Sequence, residues 1–343
     1  MFDIRELKLA ELEDFFKEID EKSYRAKQVY DWLWKKHVRD FDQMTNLPQS
    51  LRNRLAKDFY FRALQTVTTQ VSSDGTRKFG FKTSDNLIVE GVLIPADVRS
   101  TACISSQAGC ALKCTFCATG KIKLERDLTS GEMFDQVVEI EKTAREITNK
   151  KLSNIVLMGM GEPLLNYDNV LSAIERISSD TGLGYSPSRI TISTAGIVKM
   201  IQKLADDGIK CNLAVSLHTA DNFKRDQIMP INKSNPLEEL SKAIRYYYQK
   251  TSIRISYEYL LMKDFNDTLK DARQLAEFCK ISPCKINLIE YNKVKGSPFK
   301  RSDPEKTRSF KEFLESRNLV VNLRKSRGAD IDAACGQLAG KNR

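Results

Sequence analysis

Between Thr101 and Leu323 the chain repeats one pattern, a short apolar run followed by a longer amphipathic stretch and then another apolar run. The apolar runs lie at 101–106, 154–158, 189–193, 211–217, 254–261, 285–290 and 319–323, and their brevity reads as strand. The amphipathic stretches near 130–149, 168–178, 196–206, 236–249, 267–279 and 304–317 read as helix. Alternation of this kind restricts the fold to a parallel sheet with helices packed outside it. Six βα units fall short of the eight that close a barrel, so the expected fold is α/β, an open or partial (β/α)6 barrel. Active sites of such folds lie at the C-terminal ends of the strands, which is where functional residues should fall.

The segment before Thr101 follows other patterns. Residues 6–19 place Leu7, Leu9, Leu12, Phe15, Phe16 and Ile19 at helix-like spacing, and residues 25–38 form a second such stretch with Val29 and Leu33 on one face. Pro48 marks the start of a third helix, with Leu51 and Leu55 inward. From Leu64 to Ile94 strand-like runs are separated by Ser73-Asp74-Gly75 and Ser84-Asp85-Asn86, both turn signals. The expected organisation is a small N-terminal helical domain over 1–64, a short antiparallel β linker over 65–96, and the partial barrel with its tail over 97–343.

Hydrophobic residues make up 41% of the chain, enough for a sizeable core. No run approaches the roughly 18 apolar residues a membrane helix needs, and the charged start Met1-Phe2-Asp3-Ile4-Arg5-Glu6 lacks a signal-peptide stretch. A cytoplasmic location, with no membrane partner, is expected. The net charge is +10, and the excess is concentrated. Residues 22–64 carry ten Lys and Arg against four Asp and Glu, and residues 292–327 carry eleven against four. Two solvated lysine-rich faces would account for this, and so would a polyanionic partner such as nucleic acid. Trp32 and Trp34 read as packing residues rather than base-stacking platforms.

Of eight cysteines, four fall within fifteen residues, at 103, 110, 114 and 117. In a cytoplasmic chain they point to metal or redox chemistry rather than a disulfide scaffold. The run Cys110-Ala111-Leu112-Lys113-Cys114-Thr115-Phe116-Cys117 can wrap one inorganic cluster in a single loop. Iron–sulfur clusters commonly take four cysteines, so three leave one iron open. A structural zinc would need a fourth ligand, and Cys103, seven residues upstream, reaches poorly. Cys211, Cys279 and Cys284 sit among apolar neighbours and read as structural.

This spacing resembles the radical S-adenosylmethionine (SAM) superfamily. The resemblance implies a 4Fe–4S cluster held by Cys110, Cys114 and Cys117, with SAM on the open iron. Longer stretches narrow the match: Cys103 to Cys110, Gly159-Met160-Gly161-Glu162-Pro163-Leu164, Ser193-Thr194-Ala195-Gly196, Ser216-Leu217-His218, Met229-Pro230-Ile231-Asn232 and Asp330 to Leu338. Over roughly residues 20–340 they resemble the RlmN/Cfr family of RNA adenine methyltransferases. Cfr-like sequences, which act on carbon-8, usually have Ala at the position of Pro163 and an extra Cys at that of Ala108. Both departures favour the carbon-2 branch.

That branch methylates an adenine of 23S rRNA near the peptidyl transferase centre, and the adenine 3′ to the anticodon in some tRNAs. What it implies for this chain follows residue by residue. Cys335 accepts a methyl group from a first SAM; a second, cleaved at the cluster, activates that methyl, which joins the adenine and links RNA to the protein. Cys103 then releases the product by forming a transient disulfide with Cys335, and Glu90 takes a proton. SAM contacts carry over to Gly161, Glu162, Ser193, Ser216, Leu217, His218 and Asn292. Implied partners are 23S rRNA, tRNA and an electron donor such as flavodoxin with its reductase; the protein is expected to act as a monomer. Carbon-2 of adenine has no acidic proton and no nucleophilic lone pair, which is why a radical route is required.

Read without the resemblance, Cys335 is a free cysteine in an Ala/Gly-rich tail, Cys103 fits an apolar strand, Glu90 could pair with an arginine, and His218 could cap a strand end. Two other functions remain at this point: an RNA-binding protein with a structural cluster, or a radical SAM enzyme of another substrate class, such as a maturase. Neither requires cysteines at both 103 and 335.

Overall fold

The computed structural model describes residues 1–96 and 99–340. Asp97, the expected start of the third domain, and residues 341–343 of its tail lie outside the described residues. The chain opens with β1 (Phe2–Asp3), α1 (Leu9–Glu18), α2 (Tyr24–Trp34) and α3 (Gln49–Asp58), and β2 (Phe59–Tyr60) pairs in parallel with β1. Next come β3 (Gln65–Val71), β4 (Arg77–Lys82) and β5 (Ile88–Ala96), then β6 (Arg99–Cys103) and the small ribbon of β7 (Gln107–Ala108) and β8 (Arg126–Asp127).

The alternating part follows as α4 (Ser130–Thr148), β9 (Asn154–Leu157), α5 (Tyr167–Ser178), β10 (Ile190–Thr194), α6 (Val198–Asp206) and β11 (Asn212–Ser216). It continues through α7 (Asn222–Ile228), α8 (Leu237–Thr251), β12 (Ile255–Leu261), α9 (Leu269–Phe278), β13 (Cys284–Glu290), α10 (Pro304–Glu315) and β14 (Val321–Arg324). All seven expected core strands and the six expected helices are present. The short α7 was not foreseen; its seven residues are too few to show a periodicity.

One ten-stranded sheet carries the molecule, in the order β14-β13-β12-β11-β10-β9-β6-β5-β4-β3. The seven strands from β6 to β14 are parallel, which gives the open six-unit barrel that the alternation implied. The antiparallel strands do not form a separate meander. β5 pairs with β6, so β3–β5 extend the barrel sheet past its first parallel strand. All seven residues of β12 are buried, as expected of a central parallel strand covered on both faces.

The N-terminal helices are docked firmly on α4. Trp34 meets the Phe134 ring edge-on at 5.1 Å, and Arg39 reaches Glu139 at 2.8 Å. Arg5, almost fully buried, gives Asp135 a hydrogen bond of 2.9 Å and also donates to the Arg62 and Gly131 carbonyls. Asp135 accepts in turn from the Leu64 amide. Removing one partner of a buried pair strands the other charge. Arg5→Ala should therefore cost about 3–5 kcal/mol, read as a fall in the denaturant midpoint at an unchanged slope.

Candidate active site

The cysteine loop leaves β7 through Gly109, whose φ of +89° favours glycine, and a Cβ there would stand 2.1 Å from the Lys123 carbonyl oxygen. Gly120 is similarly tight: a Cβ would lie 2.5 Å from the Cys114 oxygen. The loop folds on itself through Cys117 N–H to Cys114 O at 3.3 Å, and is tied to the barrel by Thr115 N–H to Ile228 O at 3.0 Å. Cys110, Cys114 and Cys117 line one cavity at the mouth of the barrel.

Burial pushes the Cys110 thiol up to about 11 and Cys114 higher still, with neighbouring thiols adding to both. Among the described residues no three ligating side chains are gathered around a single-ion position. A soft three-thiol donor set facing one cavity fits a cluster.

The strand-end expectation holds around this cavity. Cys103 ends β6, Ser193 lies one residue from the end of β10, Ser216 ends β11 and Arg324 ends β14; Gly161 and Glu162 follow β9, and Asn292 follows β13. Gly161, Glu162, Ser193, Ser216 and His218 line the same cavity as the three thiols. Leu217 does not: it is fully buried, and its carbonyl receives Arg225 Nε at 3.2 Å.

The glycines before Glu162 line the cavity and also permit close packing of the β9 end. A Cβ on Gly159 would stand 2.6 Å from Ser105 Oγ, and one on Gly161 2.5 Å from Gln107 Cβ. They let the β9 end pack against the segment leading into the cysteine loop, and Gln107 Oε1 accepts the Glu162 amide at 2.8 Å. Glu162 itself is buried and accepts from the amides of Ala195 at 2.7 Å and Leu164 at 3.2 Å. Burial raises its carboxyl to about 7 against the pull of these hydrogen bonds.

His218 has φ +59° and packs edge-on against Phe116 of the cysteine loop at 4.7 Å. Its Nδ1 accepts the Leu260 amide at 3.1 Å. Burial and the nearby Arg225 push it down to about 3, so the ring is neutral.

Cys103 and Cys335, 232 positions apart, line a second cavity that also includes Cys117, Asn292 and Arg324. Burial pushes the Cys103 thiol up to about 12. Desolvation by the surrounding walls raises Cys335 too, although the residue as a whole is exposed to solvent, with Arg324 opposing. All eight cysteines are free. The tail that carries Cys335 is strapped along its length. Gly328 N–H donates to Asp74 at 3.0 Å and Ser72 Oγ to Asp330 at 2.6 Å. Ala118 N–H donates to Gly336 O at 2.7 Å, Thr119 Oγ1 to Leu338 O at 2.7 Å and Asn292 Nδ2 to Cys335 O at 3.4 Å. The buried Asn292 Oδ1 has no hydrogen-bond partner among the described residues.

Glu90 is fully buried, and one carboxylate oxygen accepts the tail amides of Ala339 at 2.7 Å and Gly340 at 3.1 Å. Its charged partner is Lys78 Nζ at 3.5 Å, not an arginine. In this conformation Glu90 anchors the tail and lines neither thiol cavity.

Three residues of the site were missed in the sequence. Arg225 is fully buried and ties the β10 and β11 ends together through Ala195 O at 2.7 Å, Ser216 O at 3.2 Å and Asn232 Oδ1 at 2.7 Å. Glu258 sits across from Asn287 in the register and receives its amide at 2.7 Å, and Arg324 reaches Glu258 at 3.3 Å. A Glu inside an otherwise apolar strand was the available signal for Glu258. Arg225 had none, because the seven-residue helix that carries it is too short to show a periodicity.

Residues 2–61 match the family described as ribosomal RNA large subunit methyltransferase N-terminal domain, and residues 104–279 match the radical SAM superfamily. The chain is 52% identical over 340 residues to a probable dual-specificity RNA methyltransferase RlmN of Christiangramia forsetii, covering 99% of this chain and 97% of that one. A protein of the same description from Flavobacterium psychrophilum is 49% identical over 339 residues, covering 99% and 98%. The crystal structure of a radical SAM methyltransferase from Sphaerobacter thermophilus superimposes with a TM-score of 0.93 at 38% identity, over 99% of this chain and all of that one.

Proposed function

The chain belongs to the RlmN family of dual-specificity RNA methyltransferases within the radical SAM superfamily, and from that membership we propose how its residues divide the reaction. It is a SAM-dependent RNA methyltransferase whose cofactors are a 4Fe–4S cluster and SAM. The cluster, when bound, supplies the electron that makes a carbon radical from SAM. Cys110, Cys114 and Cys117 hold it. Glu162 takes the SAM ammonium, Gly161, Ser193, Ser216 and His218 border the same ligand, and the unpartnered Asn292 Oδ1 receives a donor from it. Leu217 serves through its backbone at most, since its side chain is turned into the core.

The observation that carries the reading is the shared cavity of Cys103 and Cys335, two thiols far apart in sequence, beside the cluster loop. Cys335 accepts the methyl and then carries the RNA link; Cys103 resolves it. Glu90 takes a proton once the tail amides release it, and until then holds the tail down. The substrate is carbon-2 of adenine in 23S rRNA and tRNA, the reductant is of flavodoxin type, and the enzyme acts as a monomer with an N-terminal RNA-binding domain over 1–64, a sheet extension over 65–96 and the barrel over 97–343. No helix among the described residues is long and apolar enough to cross a membrane.

Reconstituted protein, given rRNA or tRNA, SAM and reductant, should yield 2-methyladenosine on nucleoside digestion. Formation of 8-methyladenosine instead would contradict the carbon-2 reading and favour the Cfr-type reaction.

A further inference from the structure

Residues 332–339 run between two cavities. One side is lined by Lys121, Lys293 and Lys295, and the other by Arg324, Lys325 and Arg327. Lys121 Nζ donates to the Lys295 carbonyl at 2.6 Å, which binds the two segments of the first wall together. Asp332 also lines that wall and offsets part of its charge. Lys121, Lys293, Lys295, Lys325 and Arg327 are all exposed. None is within ion-pair distance of a carboxylate among the described residues, whereas on the outer helices Lys203, Lys242, Lys280 and Lys311 each pair with one. Cys335, itself exposed, lies between the two walls.

We propose that these five cations form the RNA track of the enzyme: the strand crosses the tail at Cys335, with the phosphate on one side of the target nucleotide seated on Lys121, Lys293 and Lys295 and that on the other on Lys325 and Arg327. The inference rests on the RNA methyltransferase reading above and deepens it by fixing where the backbone lies. Unpaired cations facing one cleft attract a polyanion, and phosphate contacts of this kind set register without reading bases. Register is what the site needs, because the base that reaches Cys335 is decided by where its flanking phosphates are held.

The test measures anisotropy of a labelled anticodon stem-loop RNA that carries an adenine 3′ to the anticodon, between about 50 and 200 mM salt. Two variants are compared with wild type, Lys121→Gln/Lys293→Gln/Lys295→Gln and Lys325→Gln/Arg327→Gln. Each should bind at least about tenfold more weakly at the low end, and the slope of log affinity against log salt should flatten by about 1–2 units, each single-strand phosphate contact contributing about 0.7. SAM cleavage without RNA and methylation of Cys335 should stay at wild-type levels, which also reports a folded barrel. Arginine in place of the three lysines should keep the wild-type slope. Wild-type affinity and slope in both glutamine variants overturns the track. A wild-type protein that binds the RNA through these residues but leaves its adenine unmodified would support the track and contradict the methylation reading.

Discussion

Alanine at Cys103 should stop turnover after RNA has become attached to the protein. In the proposed sequence the substrate carbon is joined to Cys335 through a methylene thioether, and a thioether does not release its carbon without attack on sulfur. The Cys103 thiolate makes that attack: an S–S bond forms, the S–CH2 bond breaks, and its electron pair passes to the carbon and adenine, which takes up a proton. The disulfide is then reduced by external thiol, a transient bond of the kind a reducing compartment tolerates. The two cysteines line one cavity, and no other free cysteine lines it except Cys117 of the cluster loop. Burial holds Cys103 as a thiol at rest, and the Arg324 guanidinium is the nearby cation that favours its ionisation. Multiple-turnover methylation by Cys103→Ala should fall by at least about a thousandfold, as for loss of a residue acting in a covalent pathway. A denaturing gel should show protein and RNA migrating together, with the linkage mapped to Cys335. Normal turnover by the variant, with no adduct, would remove Cys103 from the reaction.

Glutamine at Glu162 should weaken SAM binding and change how the ligand-free protein responds to pH. The carboxylate already accepts two backbone N–H groups, yet burial keeps its pKa near 7. An ammonium placed against it would hold it ionised. A charge-assisted hydrogen bond of about 1.5–3 kcal/mol corresponds to about tenfold to over a hundredfold in SAM affinity. Wild-type affinity should fall as pH drops through about 7, where Glu162 takes up its proton, and the variant should lose that dependence.

The sign for stability is the reverse. A carboxyl raised from 4.5 to about 7 on folding favours the native state fully below 4.5, and this contribution is lost as pH rises through 7. Removing the ionisable group should therefore flatten the stability of the ligand-free protein between 4.5 and 7, and its gain above 7 is offset because the glutamine NH2 cannot accept the second of the two backbone N–H groups. Denaturant titrations of both proteins at several pH values check this. Parallel stability curves for the two would contradict the assignment of the titration to Glu162.

Much of this architecture was legible because it is local. Strand and helix periodicities are written in neighbouring residues, so the seven parallel strands and the six longer helices between them could be located within a few positions. The cysteine spacing is likewise a property of eight consecutive residues. What escaped depends on contacts between distant segments. The antiparallel strands over 65–96 read as a linker, because nothing in their own sequence says that Val92 will pair with Cys103 and continue the barrel sheet. Arg225 lies on the unforeseen α7, and only the approach of β10 and β11 makes it the buried tie between Ala195 and Ser216. Gly159 and Gly161 line the cavity, but their close approach to Ser105 and Gln107 joins segments far apart in the chain and has no local signature. Glu90 was recognisable as an unusual acid in an apolar strand, but its grip on Ala339 and Gly340 spans about 250 residues and has no local signature.

The most direct test of the account is mass spectrometry of the peptide that contains Cys335, from protein purified anaerobically with its cluster intact. A methyl adduct on that cysteine, absent from a Cys335→Ala control, is the predicted result. An unmodified thiol in protein that holds its cluster and has been given SAM would contradict the account at its centre.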